Sequence, residues 1–334
     1  MNNEEFEIDK FEAYEAQFDP IYSDRQARRK RKPKAVHKPK KLNSDIVAEV
    51  ADATGIEGDF TTTYQPARHE KEWLYASLSG FYLEELISDV LAQVKGGKEA
   101  SVYRCQAHAH LPVEFVAAKV YRPRQFRNLR NDIMYREGRQ TLTADGKPIK
   151  PTDTRIIRAL GKKSAFGVQV QHTSWLMYEY TTLDRLHRAG AAVPQPFAAG
   201  ENALLMSYLG DDYQAAPTLN EVSLDPAEAR PLFEETLRNI ELMLDHGLVH
   251  GDLSAYNILY WEGEITLIDF PQVTDFRTNP NARFILERDV TRVCQYFSRQ
   301  GVACDAKRIA RHFWQRYLKA EEEMREIDRL TAEL

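Results

Sequence analysis

The chain has 334 residues, of which 43% are hydrophobic and 28% charged, and its formal net charge is −5. This length is enough for two lobes plus extensions, and the hydrophobic content is enough for a buried core. No segment approaches the roughly 18 apolar residues of a membrane span, and the start lacks the pattern of a secretory signal. The 3 cysteines are few and far apart. We therefore expect a cytoplasmic protein with reduced thiols and without a membrane partner.

Charge is segregated at the start of the chain. The first two dozen residues are acidic, and residues 25–41 are rich in Lys and Arg without one acidic residue. Polar, charge-segregated segments bury too little apolar surface to fold, so residues 1–44 are predicted to be disordered. The basic arm over residues 25–41 would either bind RNA or a ribosomal particle by neutralising phosphates, or remain a solvated tail.

Residues 45–93 are predicted to form an N-terminal helical segment. Its first part has no clear period, but from Ser79 onward the apolar residues recur at helical spacing, which favours an amphipathic helix as far as Val94. The residues with this spacing are Phe81, Leu83, Leu86, Ile87, Val90, Leu91 and Val94.

Residues 94–209 are predicted to form a β-rich unit that begins with a glycine turn. Gly96 and Gly97 precede a β-prone segment, and small residues allow a backbone to approach a phosphate closely. Lys98 and Ser101 follow the glycines. Two glycines more often form an ordinary turn, so this pattern alone does not decide.

A strand with one lysine comes next. In Phe115–Tyr121, Lys119 lies among apolar residues, and a buried lysine needs an anionic partner. The alternative is an edge strand whose lysine reaches solvent. Residues 122–172 predict a long flexible loop. A helix from Ser174 to Ala189 follows, and it carries Glu179, the candidate partner of Lys119.

Residues 203–210 predict a buried strand that runs into a glycine, which fits a hinge between two lobes. Residues 210–300 then predict a mostly helical unit, whose first helix starts at Asp225-Pro226 by N-cap and first-turn chemistry and ends near His246. Later helices are predicted from Glu287 to Arg299 and within residues 301–334.

The most specific pattern is HGDLSAYN at residues 250–257, followed by LIDF at residues 267–270. Phosphoryl transfer from ATP needs a carboxylate to orient and deprotonate the acceptor, and metal ligands on the phosphates. Asp252 is the candidate base. Asn257 and Asp269 are the candidate ligands of Mg²⁺, or of Mn²⁺, because hard cations take oxygen. Each residue alone would suit a surface turn, but the combination is typical of a kinase site.

A short hairpin explains how these residues converge. Apolar runs on either side of Glu262-Gly263 predict two paired strands. A hairpin folds the chain back, so we expect Asp269 at its exit to lie near the loop that carries Asp252 and Asn257.

About residues 80–300 resemble the RIO kinase family, an atypical group of protein kinases, and in particular its type-one branch in a bacterial-like form. Four pieces occur in family order. They are residues 97–103 for the phosphate loop, 118–121 for the strand of the ATP lysine, Trp175 with Glu179 for the start of helix αC, and 250–257 with Asp269 for the catalytic and metal loops.

The resemblance implies an α+β, protein-kinase-like bilobal fold, with a small β-rich N-lobe over residues 94–209 and a helical C-lobe over residues 210–300. It implies binding of ATP and Mg²⁺, Ser/Thr autophosphorylation, a link to small-subunit ribosome maturation, and transient phosphate on Asp269. The residues expected to contact the nucleotide are Lys98, Ser101, Lys119, Glu179, Met206, Ser207 and Leu209, the last three around the adenine.

The chain departs from ordinary protein kinases at two points. Gly251 stands where most of them have an arginine that binds a phosphorylated activation loop, and Asp269 is followed by Phe-Pro-Gln. No Ala-Pro-Glu element follows, so we expect a C-lobe without an activation segment. This agrees with the RIO pattern and argues against ordinary peptide substrates.

Two alternatives to a RIO-type serine/threonine protein kinase stay open. The same HGD…N and IDF pattern occurs in small-molecule kinases such as the aminoglycoside phosphotransferases, although only 65 residues follow Asp269 here. The other alternative is an ATP-gated assembly factor that binds a ribonucleoprotein through residues 25–41.

Overall fold

The computed structural model of the protein describes residues 62–97, 100–121, 135, 137–162 and 164–318. The predictions for residues 1–44, for the basic arm within them and for Lys98 lie outside the described residues. Among the described helices, none combines the length and the apolar character needed to cross a membrane.

Five strands form the sheet of the N-lobe. They are β1 (Ile87–Gly96), β2 (Ala100–Ala107), β3 (Phe115–Tyr121), β4 (Pro196–Ala199) and β5 (Ala203–Ser207). In space they follow the order β1-β2-β3-β5-β4, and each neighbouring pair is antiparallel. Strand β5 therefore lies beside the lysine-bearing strand β3 and leads the chain out of the sheet.

Helix α1 (Arg68–Leu83) covers one face of this sheet. Its Leu74, Leu78 and Phe81 belong to one buried cluster with residues of β1, β2, β3 and β5. Successive residues of a strand point to opposite faces. Since Val120 belongs to this cluster, the neighbouring Lys119 points to the other face, which is left for ligands and for the following helix.

The prediction of a helix from Ser79 to Val94 is wrong beyond Leu83. Helix α1 ends there, and strand β1 begins at Ile87. Strand β1 has three register irregularities against β2, and such bulges break the two-residue alternation of a strand. Ile87 and Val90 are both buried although they are three residues apart, which imitates helical spacing.

The second half of the predicted loop over residues 122–172 contains regular structure. Helix α2 (Thr154–Gly161) lies within it, and helix α3 (Ala165–Arg188) begins before the predicted start at Ser174. The side chain of Ser164 caps α3 by accepting a hydrogen bond from the Gly167 N–H at 3.2 Å.

The first α-helix of the C-lobe is α4 (Pro226–Asp245), which starts where the sequence predicts. The Asp225 carboxylate caps it by accepting from the Ala227 N–H at 2.8 Å. Strands β6 (Leu248–Val249) and β9 (Thr274–Asp275) form a short pair that brackets the catalytic segment.

The predicted hairpin is present as β7 (Ile258–Trp261) and β8 (Glu264–Leu267). Glu262 and Gly263 both have positive φ, at 50° and 85°, as a two-residue hairpin turn requires. Helix α5 (Ala282–Arg299) starts earlier than the predicted Glu287, and residues 306–318 form the last described helix.

The largest buried cluster holds α4, α5 and the hairpin together in the C-lobe. A smaller cluster around Trp175 and Leu176 joins α3 to the inner face of the sheet. The predicted α+β, two-lobed, protein-kinase-like fold is confirmed. Only residues 270–281 separate Asp269 from α5, so in this described segment there is no room for a peptide-docking activation segment.

Candidate active site

Lys119 lies at the centre of the candidate site. Its Nζ is 2.6 Å from Glu179 Oε1 and 2.7 Å from Asp269 Oδ1. The three residues come from β3, from α3 and from the loop after β8. The structure thus brings together, on the inner face of the sheet, three residues that the sequence separates by up to 150 positions.

The charges of this trio stabilise one another. Burial alone would lower the pKa of Lys119, but Asp269 and Glu179 outweigh it and hold that pKa well above its usual value. Burial alone would raise the pKa of Asp269, but the nearby ammonium of Lys119 outweighs it and lowers the pKa. Lys119 is therefore a cation and Asp269 an anion at neutral pH.

Glu179 has a second partner that the sequence analysis missed. The hydroxyl of Tyr121 donates to Glu179 Oε2. Glu179 is only 1% exposed, so both of its oxygens are occupied without help from water. Tyr121 is two residues after Lys119 and hence on the same face of β3, a spacing from which it could have been found.

Asp252 and Asn257 are joined by hydrogen bonds. The Asn257 amide donates through Nδ2 to the Asp252 backbone carbonyl at 2.8 Å and to its Oδ2 at 3.2 Å. This arrangement leaves Asn257 Oδ1 as the atom that can face a cation. The N–H of Ile268 donates to the Asn257 carbonyl at 3.0 Å, which ties the catalytic loop to the hairpin exit.

Arg292, from helix α5, is a site residue that no motif in the sequence indicates. Its Nη1 is 2.8 Å from Asp252 Oδ1. Burial raises the pKa of Asp252, and the positive charge of Arg292 opposes this rise. The Asp252 side chain is nevertheless 37% exposed, so an acceptor group can reach it.

A buried polar network holds the backbone of the catalytic loop. The Gly251 N–H donates to Asp289 Oδ2 at 2.8 Å, and the His250 ring lies 3.1 Å, through Nε2, from the Ile268 carbonyl. Burial lowers the pKa of His250, so the ring is neutral and Nε2–H is the donor to that carbonyl. The opposite nitrogen, Nδ1, accepts from the Asp252 N–H at 3.3 Å.

A second buried contact links the catalytic loop to the segment between β3 and α3. The Arg288 guanidinium donates to the Gly251 carbonyl and to the hydroxyl of Tyr135. Arg139, from the same segment as Tyr135, donates to the carbonyls of Pro271 and Val273. Tyr135 and Arg139 thus contact Arg288 and the residues that follow Asp269. No local pattern in the sequence indicates these contacts.

Asp269 itself has an unusual backbone. Its φ is 71°, in the left-handed region that non-glycine residues seldom adopt and that is often found at functional sites. Its side chain is 41% exposed. The carboxylate is thus held by Lys119 but remains open to the cleft.

The glycine pair lies where the chain passes from β1 to β2, and Ser101 beside it faces away from Lys119. The Gly97 N–H donates to the Ala100 carbonyl at 2.9 Å, which closes the turn between β1 and β2. Ser101 pairs with Val120 and is buried, on the face that α1 covers. The Ser101 hydroxyl is therefore not among the proposed nucleotide contacts.

Of the three predicted adenine contacts, Met206 and Ser207 end β5, and Leu209 comes two residues after it. Met206 packs against both the C-lobe cluster and the cluster around Trp175. The Ser207 N–H donates to the Gln195 carbonyl at 2.8 Å, and the Leu209 carbonyl accepts from the Ala216 N–H at 2.9 Å. These bonds occupy the N–H of Ser207 and the carbonyl of Leu209.

The arrangement suits the transfer of a phosphoryl group. Lys119 is a fixed cation, and Asn257 and Asp269 can offer oxygen atoms to a metal ion. Asp252 is a separate carboxylate that an acceptor can approach. These residues lie on different elements of the fold: Lys119 is on the sheet, Asp269 is at the exit of the hairpin, and Asp252 is on the catalytic loop.

Comparisons with known proteins agree with this geometry. The family model described as the RIO domain matches residues 101–309. The RIO-type serine/threonine-protein kinase Rio1 of Haloferax volcanii is 32% identical over 215 residues, which cover 64% of this chain and 64% of that protein. The serine/threonine-protein kinase RIO1 of Chaetomium thermophilum is 30% identical over 239 residues, 68% of this chain and 43% of that protein.

A third relative has a similar identity over a shorter stretch. The RIO-type serine/threonine-protein kinase Rio1 of Thermoplasma acidophilum is 33% identical over 135 residues, 40% of this chain and 69% of that protein. The chain spans less than two thirds of the length of the Haloferax and Chaetomium proteins. The family model, however, covers more than half of this chain. The chain belongs to the RIO domain family.

Proposed function

We propose that this protein is an ATP-dependent serine/threonine protein kinase of the RIO type that requires a divalent cation, with Mg²⁺ as the preferred ion. The observation that carries the proposal is the position of Lys119 between Glu179 and Asp269, in the same cleft as Asp252. The names of the curated relatives support the same activity.

The donors in the cleft fit a nucleotide and a hard cation. Bound ATP supplies the phosphoryl group, and its cation neutralises charge on the phosphates. Lys119 would contact the α- and β-phosphates, with its position and charge fixed by Glu179, which Tyr121 holds in turn. Asn257 Oδ1 and the Asp269 carboxylate would hold the cation, which as an oxygen-only set suits Mg²⁺ and also admits Mn²⁺.

Asp252 is the proposed base. Its carboxylate would accept the proton of a serine or threonine hydroxyl and hold that hydroxyl in line for attack. Arg292 and Asn257 fix the carboxylate from two sides, so its orientation does not depend on the acceptor. At the hinge, the Ser207 carbonyl and Leu209 N–H would bind the adenine, with Met206 as the pocket wall.

Incubation with γ-labelled ATP and Mg²⁺ tests the proposal. We expect the Asp252→Asn variant to lose phosphorylation of itself or of a generic protein substrate by a factor of about 10²–10⁴, with nucleotide affinity retained. Asp225→Asn is the matched control, because asparagine caps a helix as well as aspartate does. A wild-type rate in Asp252→Asn would contradict the assignment of the base.

The same experiment separates the remaining functions. Label that is stable in acid supports phosphoserine or phosphothreonine. Label that base removes and that Asp269→Asn lacks would support transient phosphate on Asp269, as an ATP-driven switch requires. Turnover of a small alcohol or amine without any labelled protein would favour a small-molecule kinase instead.

We also propose that the basic arm over residues 25–41 binds RNA or a ribosomal particle. The support is its run of Lys and Arg without acidic residues, which suits contact with a phosphate backbone. Deleting residues 1–44 should abolish salt-sensitive RNA binding and leave ATP chemistry unchanged. Equal RNA affinity of the full and shortened chains would leave the arm as a solvated tail.

A further inference from the structure

Two histidines and a glutamate lie together at the end of the N-lobe sheet away from the glycine turn. His108 and His110 are in the turn between β2 and β3, and Glu85 is in the turn between α1 and β1. The backbone N–H of His108 donates to the Leu86 carbonyl at 3.1 Å, which fixes the two turns against each other. None of these residues contributes to the proposed kinase site.

The three side chains point their ligand atoms at one another. One ligand atom from each residue lies within 4.8 Å of the others. The two imidazoles face each other through Nδ1, at 2.9 Å. Glu85 and His110 are exposed and His108 is half-buried, so an ion in solution can reach the cluster.

The contact between the imidazoles restricts what can lie between them. Two ring nitrogens at this distance form a hydrogen bond only if one carries a proton and the other does not. A cation can replace that proton and use both lone pairs. Zinc bound to two nitrogens at about 2.0–2.1 Å in tetrahedral geometry separates them by about 3.3 Å, so the pair has to open by only a few tenths of an ångström.

We propose that Glu85, His108 and His110 form a Zn²⁺ site, with both imidazoles bound through Nδ1, one carboxylate oxygen from Glu85 and water in the fourth position. Two imidazoles and a carboxylate are a zinc donor set, whereas Mg²⁺ prefers oxygen alone. The ion would join the α1–β1 turn to the β2–β3 turn and so brace the end of the sheet.

Zinc titration of the tag-free, full-length protein by calorimetry tests the site, together with thermal unfolding at each metal level. We expect one saturable site in the wild type and a Tm that rises with Zn²⁺. The double variant His108→Ala/His110→Ala should bind more than about tenfold more weakly, since even the outer partners of metal ligands are worth about 10- to 100-fold. Its metal-free Tm shows whether it has folded.

Matched variants separate this site from other zinc-binding groups of the chain. His312→Ala removes an exposed histidine on a distant helix and should bind zinc as the wild type does. Glu85→Gln keeps the side-chain shape, removes the charge, and should weaken binding. Wild-type binding in the double histidine variant or in Glu85→Gln, or no saturable binding in the wild type, would overturn the proposal.

Discussion

The trio of Lys119, Glu179 and Asp269 contains two carboxylates in different environments. Glu179 is 1% exposed and Asp269 is 41% exposed, although both lie within 2.7 Å of the same ammonium. Removing either partner from a buried ion pair leaves an uncompensated charge, which costs free energy. Glu179 is therefore the buried anchor of Lys119, whereas Asp269 is the partly exposed partner, which under the proposed function would turn to the cation.

The role of Glu179 as the anchor of Lys119 can be tested through nucleotide affinity. Glu179→Gln keeps the shape of the side chain and its hydrogen bond with Tyr121 but removes the charge that holds Lys119. We expect nucleotide affinity to fall by about tenfold or more, because loss of one charged hydrogen bond is worth roughly 1.5–3 kcal/mol. Titration with a fluorescent nucleotide measures it.

Glu201→Gln is the control for this change, since Glu201 is exposed in the turn before β5. If Glu179→Gln binds nucleotide as tightly as the control, Lys119 does not depend on the anchor.

Sequence reasoning reached some of these residues and not others, for a physical reason. Asp252, Asn257 and Asp269 share one short stretch whose spacing carries the chemistry, so the amino-acid sequence alone is enough to select them. Arg292 and Arg288 reach the same loop from α5, and Arg288 also bonds Tyr135; contacts between distant segments leave no local pattern. Ser101 could be assigned to the wrong face because one-dimensional proximity to a glycine turn says nothing about which side of a strand a residue takes.

At the level of elements, a helix or strand is predicted correctly when its buried residues recur at a regular spacing. Helix α4 and the β7–β8 hairpin have regular periods and clear boundary residues, and both lie where the sequence predicts them. Strand β1 has bulges that give buried residues the spacing of a helix, so the rule that works for α4 fails there. Helix α2 has no fully buried residue, and its place within a polar segment hid it.

The catalytic loop depends on a glycine at one position. Gly251 has a φ of 88°, and a Cβ there would meet the Gln272 carbonyl oxygen at 2.3 Å. Its N–H and carbonyl are also held by Asp289 and Arg288. The backbone between the strands that bracket the catalytic segment therefore has no space for a side chain.

Gly251→Ala should consequently reduce stability and activity by more than the positive φ of this residue alone would cause. We expect a loss of stability of more than about 1–2 kcal/mol, the cost of a left-handed alanine, and a larger loss of phosphotransfer. Gly263→Ala is the matched control, because Gly263 has a φ of 85° but no neighbouring atom within 4 Å of the added Cβ. Chemical denaturation and activity measure both variants, and equal losses in the two would exclude the close contact as the cause.

At the scale of the whole molecule, the described residues form three buried clusters, and Tyr121 of the proposed site belongs to the one around Trp175 and Leu176. The other two each contain a cysteine: Cys105 in the cluster under α1 and Cys294 in the larger cluster of the C-lobe. Cys304 is only half-buried. The chain thus carries a natural thiol probe in each lobe and a third near the surface.

The reactivity of these thiols can be predicted from their surroundings. Burial, with a smaller effect of Cys304 nearby, raises the pKa of the Cys294 thiol to about 12. Burial also raises the pKa of Cys105 above its usual value. The thiolate is the reactive form, and an ordinary cysteine with a pKa of about 8.5 is mostly thiolate at pH 9. Raised pKa values keep the two buried thiols protonated at that pH.

At pH 9, iodoacetamide should therefore label Cys304 of the native protein first and leave Cys105 and Cys294 unmodified, as peptide mass spectrometry can show. With increasing denaturant, Cys105 should become reactive before Cys294, because the cluster around it is smaller and buries less apolar surface. Simultaneous exposure of the two would mean that the lobes unfold as one unit. Rapid labelling of Cys294 without denaturant would contradict the packing of the C-lobe, since a thiol buried among α5 side chains cannot react unless the helix moves.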